Sequence, residues 1–380
     1  MVAARVARSV GQLRWTTVVP VVAVLVLAAS WNAKPDGAAE VALMLVVGAL
    51  LIGAVLAAVH HAEVVAHRVG EPFGSLVLAV AVTVIEVALI VTLMISGGDA
   101  TSTLARDTVF AALMITLNGI VGLSLLVASL RHRFAVFNPE GTGAALATVV
   151  ALASLCLVLP RFTTSASGAQ YSGSQLAFAA VASLALYVLF LFTQTVRHRD
   201  FFLPVHGEHS PEPREPVDED GDGHADPPTT RAALQSLGLL LVALVAVVGL
   251  AKVASPAIEA GVDGLGFPRA VVGVVIALLV LAPESIAAVR AAALARTQIS
   301  LNLGLGSAMA SIGLTIPTLA VASIWLDGPL DLGLEPVQIV LLLTTVAVAV
   351  LTVVPGRAKP LQGGVHLALL AAFVFLTIQP

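Results

Sequence analysis

LVLAVAVTVIEVALIVTLM, residues 76–94, decides the fold class, because this long apolar run carries a single charge, Glu86. A run of such length and polarity spans the hydrocarbon core of a bilayer as a helix. VVGVVIALLVLAPESIAAV, residues 271–289, repeats the pattern around the single charge Glu284. We therefore predict membrane-spanning helices in both parts of the chain, each with a glutamate inside it.

The whole chain shares this apolar character. Of its 380 residues 58% are hydrophobic and 11% are charged, with a mean hydropathy of +1.00, whereas soluble domains are about a quarter charged. The apolar runs lack the alternation with a period of two that lipid-facing barrel strands need. Composition thus predicts an all-α polytopic membrane protein, and we expect a transporter and not an enzyme. The single cysteine, Cys156, excludes an internal disulfide.

Eleven apolar runs are candidates for spans. The first could also be a signal peptide, since Arg5, Arg8 and Arg14 precede it, but the short turn that follows favours a helix. The predicted spans are about 16–30, 41–60, 73–96, 107–130, 142–160, 174–196, 232–254, 268–289, 300–325, 336–354 and 362–379.

Basic residues are distributed unevenly between the two ends of these spans. Fourteen of the 19 Lys and Arg fall on the side of the amino terminus and five on the other side. Cytoplasmic loops carry the excess of Lys and Arg. We therefore expect a protein of the bacterial cell membrane (plasma or inner membrane), with a cytoplasmic amino terminus and an external carboxyl terminus.

A hydrophilic stretch divides the spans into two groups of five that follow the first span. An odd number of spans in each group makes the second group enter the membrane in the opposite sense, so the groups are predicted to be inverted repeats. Carboxylates and broken helices of such repeats form cation sites near the bilayer midplane. The predicted segments are 1–40 (amino-terminal segment and first helix), 41–197 (first repeat), 198–230 (acidic cytoplasmic loop) and 231–380 (second repeat).

Glu86 and Glu284 take corresponding places, each in the second span of its group. A charge near the bilayer centre costs about 2.5–3.5 kcal/mol on insertion scales, so such residues usually handle ions or protons. Thr83 lies one turn before Glu86 on the same helical face. Pro283 should disrupt the helix beside Glu284 and free carbonyl oxygens. Carboxylates and carbonyls are the ligands that a hard cation such as Ca²⁺ prefers.

Small residues recur in the span after each glutamate. Gly119 and Ser124 stand five residues apart, as do Gly306 and Ser311. These residues either contribute to the cation site or allow close packing of helices. Both interpretations stay open.

Two stretches resemble the signature regions of a known family. HHAEVVAHRVGEPFGSLVLAVAVTVIEVALI (60–90) and LAPESIAAVRAAALARTQISLNLGLGSAMASIGLTIP (281–317) are similar to those of bacterial calcium/proton antiporters in the cation/calcium exchanger superfamily. The resemblance covers nearly the whole chain. It implies that Glu86 and Glu284 exchange Ca²⁺ for protons, that Asn118, Ser307 and Ser311 complete the site, and that no cofactor takes part.

The chain departs from the family pattern just before each glutamate. The Gly-Asn found there in many relatives is Val84-Ile85 in the first region and Ala282-Pro283 in the second. The site is thus left with fewer amide oxygens. Selectivity for Ca²⁺ over Na⁺ or K⁺ therefore stays open, and a monovalent cation/proton antiporter is the alternative.

Three polar residues share one helical face near the end of the second span. His60, Glu63 and His67 stand at i, i+3 and i+7, a spacing that could bind a metal or pass protons to the site. The alternative is a helix end hydrated by water and headgroups. The sequence does not decide between proton entry and hydration.

HGEHSPEPREPVDEDGDGHADPP, residues 206–228, holds eight carboxylates and one arginine, which predicts a disordered segment. Asp218, Asp220, Asp222, Gly223 and Asp226 match positions of an EF-hand loop, but the final glutamate is missing and prolines follow. The interpretations are a solvated linker, a weak cation collector and, least supported, an EF-hand.

Other functions fit the sequence less well. A primary pump would need a phosphate-binding loop of the form G-x-x-x-x-G-K-[ST], which the sequence lacks. A passive cation channel and an intramembrane hydrolase remain alternatives. The expected partners are the lipid bilayer, Ca²⁺ and H⁺, with no nucleic acid and an open oligomeric state.

Overall fold

The computed structural model describes residues 2–31, 37–70, 73–97, 102–203, 228–325 and 329–380, which are almost entirely helical. The helices are α1 (Val2–Ser30), α2 (Ala38–Val69), α3 (Phe73–Gly97), α4 (Leu104–Met114), α5 (Val121–His132), α6 (Pro139–Ala153), α7 (Gly173–Phe192), α8 (Thr230–Gly264), α9 (Ala270–Ala293), α10 (Thr297–Gly313), α11 (Thr315–Ala322), α12 (Pro336–Val353) and α13 (Pro360–Ile378). Two short strands, β1 (Ala135–Val136) and β2 (Arg357–Ala358), pair antiparallel.

The predicted spans are confirmed as helices at their predicted places. Among the described residues, ten helical segments are long and apolar enough to cross a membrane, and an eleventh, Trp15–Ser30, is apolar but shorter. The all-α polytopic membrane fold is therefore confirmed. The predicted acidic loop with its EF-hand-like residues lies largely outside the described residues.

Three helices, α7, α12 and α13, begin with the same capping interaction. A glutamine in the first turn accepts a hydrogen bond from the backbone N–H of the residue that precedes the helix, at 2.9–3.0 Å. This bond satisfies a donor that the helix itself leaves unpaired. The pairs are Ser172 with Gln175, Glu335 with Gln338, and Lys359 with Gln362.

The helical ladder is irregular in four of the described spans, two of which have a π-helical segment after α6 (Ser154–Val158) or after α7 (Thr193–Arg197). Ile115–Ile120 forms a π-helical segment between α4 and α5, and Leu314 separates α10 from α11. The predicted disruption at Pro283 is wrong, because α9 runs unbroken from Ala270 to Ala293. A proline removes one backbone donor, and a transmembrane helix tolerates that loss when its surroundings compensate.

The chain divides into two compact units that differ from the predicted repeats. Of the described residues, unit 1 holds those within Met1–Ser96 and Pro213–Gly261, and unit 2 holds those within Gly97–Glu212 and Val262–Pro380. Each unit therefore takes segments from both predicted repeats. The inverted relation of the repeats stays a prediction.

Unit 1 packs α1 against α2 and α8. A Cβ at Gly53 of α2 would lie 2.9 Å from Val19 Cγ1 of α1, so a small residue is needed there. His61 is buried and joins three helices, because its Nε2 lies 3.0 Å from Thr16 O and its Nδ1 lies 3.3 Å from Ser236 Oγ.

Unit 2 is built around α10, which packs against α4, α5, α6, α7 and α9. In α9, Gly273 allows a very close approach to α4, since a Cβ there would lie 2.8 Å from Thr108 N. The β1–β2 pair, with Ala135 opposite Ala358, ties the α5–α6 connection to the α12–α13 connection.

Candidate functional site

Glu86 and Thr83 lie together on α3 of unit 1. The residue exposures are 3% for Glu86 and 5% for Thr83. Most Ser and Thr hydroxyls inside these helices donate to the carbonyl one turn earlier, as Thr116 does to Ala112 O at 2.6 Å. Thr83 Oγ1, in contrast, has no hydrogen-bond partner among the described residues. Thr83 and Glu86 thus lie on one buried face of α3, as predicted, and the Thr83 hydroxyl is available for a ligand.

Glu284 lies on α9 of unit 2 and is half-buried. The next residue, Ser285, donates to Leu281 O at 2.7 Å. Since α9 is continuous, the only carbonyl that Pro283 deprives of its donor is that of Leu279, one turn earlier. The glutamate therefore projects from a regular helix and not from a broken one.

The elements around Glu284 carry the other polar residues predicted for unit 2. α9 packs against α10, α5 and the π-helical segment 115–120. Asn118 lies in the π-helical segment, and Ser307 and Ser311 lie on α10, the former half-buried and the latter buried. The helices that carry these residues are in direct contact, although each side chain has its own surroundings.

Asn118 and Ser124 are held by partners that the sequence did not suggest. Asn118 Nδ2 donates to Thr345 Oγ1 at 2.9 Å, and Asn118 Oδ1 lies 3.2 Å from His366 Nδ1. Ser300 Oγ donates to Ser124 Oγ at 2.6 Å, and both serines are buried. Ser124 therefore joins α5 to α10, which favours the packing interpretation of this residue.

The three residues predicted for proton entry lie on α2, as expected, but mostly face outward. Glu63 and His67 are exposed and His60 is half-buried, whereas the adjacent His61 is the buried histidine. Within the described ranges, no three His, Cys, Asp or Glu side chains come together in a way that could hold a metal. The metal-binding interpretation of His60, Glu63 and His67 therefore receives no support, and proton entry stays a prediction.

A buried ionic cluster at the start of α4 was not predicted. Arg106 Nε donates to Asp107 Oδ1 at 2.9 Å, and Arg106 Nη1 donates to Glu335 Oε1 at 3.2 Å. Thr103 and Gln338 also donate to Asp107. The predicted span begins at about residue 107, so Arg106 counted among the five basic residues on the side opposite the amino terminus.

Comparison with known proteins gives a consistent picture. Residues 39–196 and 235–379 match the family described as sodium/calcium exchanger protein. A Sinorhizobium fredii protein described as an ionic transporter is 45% identical over 370 residues, which cover 96% of each chain. The sodium-potassium/proton antiporter ChaA of Escherichia coli is 32% identical over 355 residues, which cover 93% of each chain.

Solved structures share the fold at lower identity. The H⁺/Ca²⁺ exchanger CAX gives a TM-score of 0.70 at 15% identity, covering 97% of this chain and 88% of its own. The protein YfkE gives a TM-score of 0.67 at 16% identity, covering 94% of this chain and 97% of its own. Identities this low establish a common fold and nothing finer.

Proposed function

Because the chain belongs to the sodium/calcium exchanger family, we propose that it is a secondary antiporter that exchanges cations, Ca²⁺ among them, for protons. The family consists of transporters, so the chain is a multi-pass membrane transporter and not an enzyme. Ions are its substrates, and no cofactor takes part. Glu86 and Glu284 are the proposed transport carboxylates.

One observation carries the assignment of Glu86. Its carboxylate is buried on a membrane-spanning helix one turn from the Thr83 hydroxyl, which lacks a hydrogen-bond partner among the described residues. Burying a polar group without a partner costs free energy, so such a group indicates a ligand that binds there for part of the cycle. A hydroxyl oxygen and a carboxylate oxygen on one face are suitable ligands for a cation.

Proton coupling follows from the chemistry of a carboxylate. A charged carboxylate is costly in a membrane, and either a bound cation or a bound proton lowers the cost. A site that must hold one or the other exchanges them as it is presented to each side. Glu284 of unit 2 has the same two options.

Selectivity has a second candidate, transport of Na⁺ and K⁺ with little Ca²⁺. The relative at 32% identity is named a sodium-potassium/proton antiporter, which favours this candidate. The residues before each glutamate, Val84-Ile85 and Ala282-Pro283, also supply no side-chain amide oxygens, and Ca²⁺ takes six to eight oxygen ligands.

The excess of Lys and Arg on one side supports a cytoplasmic amino terminus in the bacterial cell membrane. Everted vesicles would then expose the cytoplasmic face to the medium. Cation uptake driven by an imposed pH gradient would separate an antiporter from a passive channel, which needs no such gradient.

The test measures that uptake with Ca²⁺, Na⁺ and K⁺ side by side in Glu86→Gln, Glu284→Gln and a matched control. Glu140→Gln makes the same chemical change at an exposed position in the first turn of α6. Both Glu86→Gln and Glu284→Gln should reach the membrane and lose exchange, while the control transports normally. Near-normal transport by Glu86→Gln or Glu284→Gln would refute the assignment of that glutamate.

A further inference from the structure

His366 lies on α13 in the interior of unit 2, and α13 packs against the π-helical segment 115–120. His366 and Asn118 are both fully buried, and their Nδ1 and Oδ1 atoms are 3.2 Å apart. The other ring nitrogen, Nε2, lies 3.3 Å from Thr352 Oγ1 of α12. A histidine in a membrane-spanning helix is unusual enough to suggest a functional role.

Two glycines bring His366 to this position. A Cβ at Gly122 of α5 would lie 2.8 Å from His366 Cβ. A Cβ at Gly363 of α13 would lie 2.6 Å from Leu126 N and 2.7 Å from Gly122 O. Small residues on both helices therefore allow α5 and α13 to approach with their backbones in contact, and the imidazole can reach Asn118.

Two hydrogen bonds, one from His366 and one to Thr345, hold the side-chain amide of Asn118 in place. An amide oxygen can only accept, so Nδ1 of His366 carries the hydrogen of the bond to Asn118 Oδ1. The amide nitrogen of Asn118 donates to Thr345 Oγ1 at 2.9 Å. His366 and Thr345 thus hold opposite ends of one amide, and tilting that amide out of its present plane would weaken both bonds.

The location of Asn118 gives this orientation a functional consequence. Its π-helical segment packs against α9, which carries Glu284, and against α10, where Gly304 faces Thr116 and Ile120. π-Helical insertions are frequent at functional sites. An amide oxygen held by one histidine bond keeps a second lone pair for another partner.

We propose that His366 is a positioning residue that orients the Asn118 amide for cation binding and so sets the apparent cation affinity of the transporter. This inference rests on the proposed function, and it adds Asn118, which the family resemblance implies as part of the site, as a ligand of the transported cation. His366 itself acts through Asn118 and does not contact the cation.

Two substitutions separate this role from mere packing. In His366→Asn, the new Nδ2 occupies the place of the ring Nδ1 and can still donate to Asn118. In His366→Gln, the new Nε2 occupies the place of the ring Nε2 and keeps the contact with Thr352 instead. The two variants resemble each other in polarity, but only His366→Asn keeps a donor that faces Asn118 Oδ1.

The experiment measures initial rates of Ca²⁺ and Na⁺ uptake against concentration in proteoliposomes with an imposed pH gradient. Loss of one hydrogen bond of ordinary strength should raise the KM of His366→Gln roughly fivefold with little change in Vmax. His366→Asn should keep KM within about twofold of the wild type. Equal changes in KM in both variants would overturn the proposal, since packing alone would explain them.

A further variant covers the case in which neither His366 substitution folds. Thr345→Val removes the acceptor of Asn118 Nδ2 at nearly constant volume and leaves α13 intact, so it should raise KM as His366→Gln does. An unchanged KM in Thr345→Val, or in Asn118→Ala, would overturn the proposal. Failure of the proposed function would look different, because Glu86→Gln and Glu284→Gln would then transport normally.

Discussion

Gly363 should not tolerate even a methyl group, because α13 meets α5 at this residue. An added Cβ would lie 2.6 Å from Leu126 N and 2.7 Å from Gly122 O, whereas ordinary contacts are 3.4–4 Å. Both neighbours are backbone atoms of a helix and cannot turn aside. Overpacking costs about 1–3 kcal/mol, and replacing a helical Gly by Ala returns about 0.5–1 kcal/mol. Gly363→Ala should therefore destabilise unit 2 by about 1–2 kcal/mol.

Gly364 is the matched control, since a Cβ there would have nothing within 4 Å. The assay is the apparent melting temperature of purified protein in mild detergent, followed by size-exclusion chromatography after heating. Gly363→Ala should melt a few degrees lower, at about 2–4 °C per kcal/mol for a domain of 150–250 residues. Gly364→Ala should match or slightly exceed the wild type. If Gly363→Ala were as stable as Gly364→Ala, the close packing of α5 and α13 would be wrong.

Three further predictions concern stability, the site and the acidic loop. Asp107→Ala should lower the melting temperature more than Glu335→Ala, because both contact Arg106 but the Asp107 side chain is 4% exposed and the Glu335 side chain 49%; equal shifts would contradict this ranking. Thr83→Val should be expressed normally but weaken apparent cation affinity roughly fivefold in the flux assay, and unchanged affinity would show that the hydroxyl is not a ligand. Deleting residues 208–226, whose composition predicts a solvated linker, should leave folding and maximal flux unchanged, and loss of flux at normal membrane levels would make the loop part of the transport machinery.

Hydropathy alone located the helices, because the bilayer imposes a minimum length on every span. The irregularities within spans were harder to predict. The π-helical segment 115–120 and the break at Leu314 depend on contacts between distant helices. The one interruption that was predicted, at Pro283, is absent, because the local penalty of a proline is small enough for a packed helix to absorb.

The same reasoning found part of the candidate site. The cost of an ionisable group in the membrane identified Glu86, and the structure buries it. Applied to histidine, that argument would have singled out His366. This residue was passed over because it lies near the start of the last predicted span, 362–379. Its burial depends on Gly122 and Gly363, which lie far apart in sequence, and a single sequence does not reveal that pairing.

Helical periodicity grouped His60, Glu63 and His67 correctly on one face of α2 but could not tell which face is buried. The packing of α1 and α8 against α2 decides that His61 is buried instead. Both faces carry a histidine in the sequence. The choice between them therefore depends on tertiary contacts and not on local pattern.

Competition between cation and proton at Glu86 and Glu284 is the central claim, and equilibrium binding tests it most directly. The measurement is Ca²⁺ and Na⁺ affinity of the purified wild-type protein at steps between about pH 6 and 9, since a proton bound to a ligand carboxylate removes a ligand charge. The account predicts that apparent affinity falls steadily as pH is lowered, and that Glu86→Gln and Glu284→Gln bind weakly at every pH. Wild-type affinity that does not change with pH would contradict it.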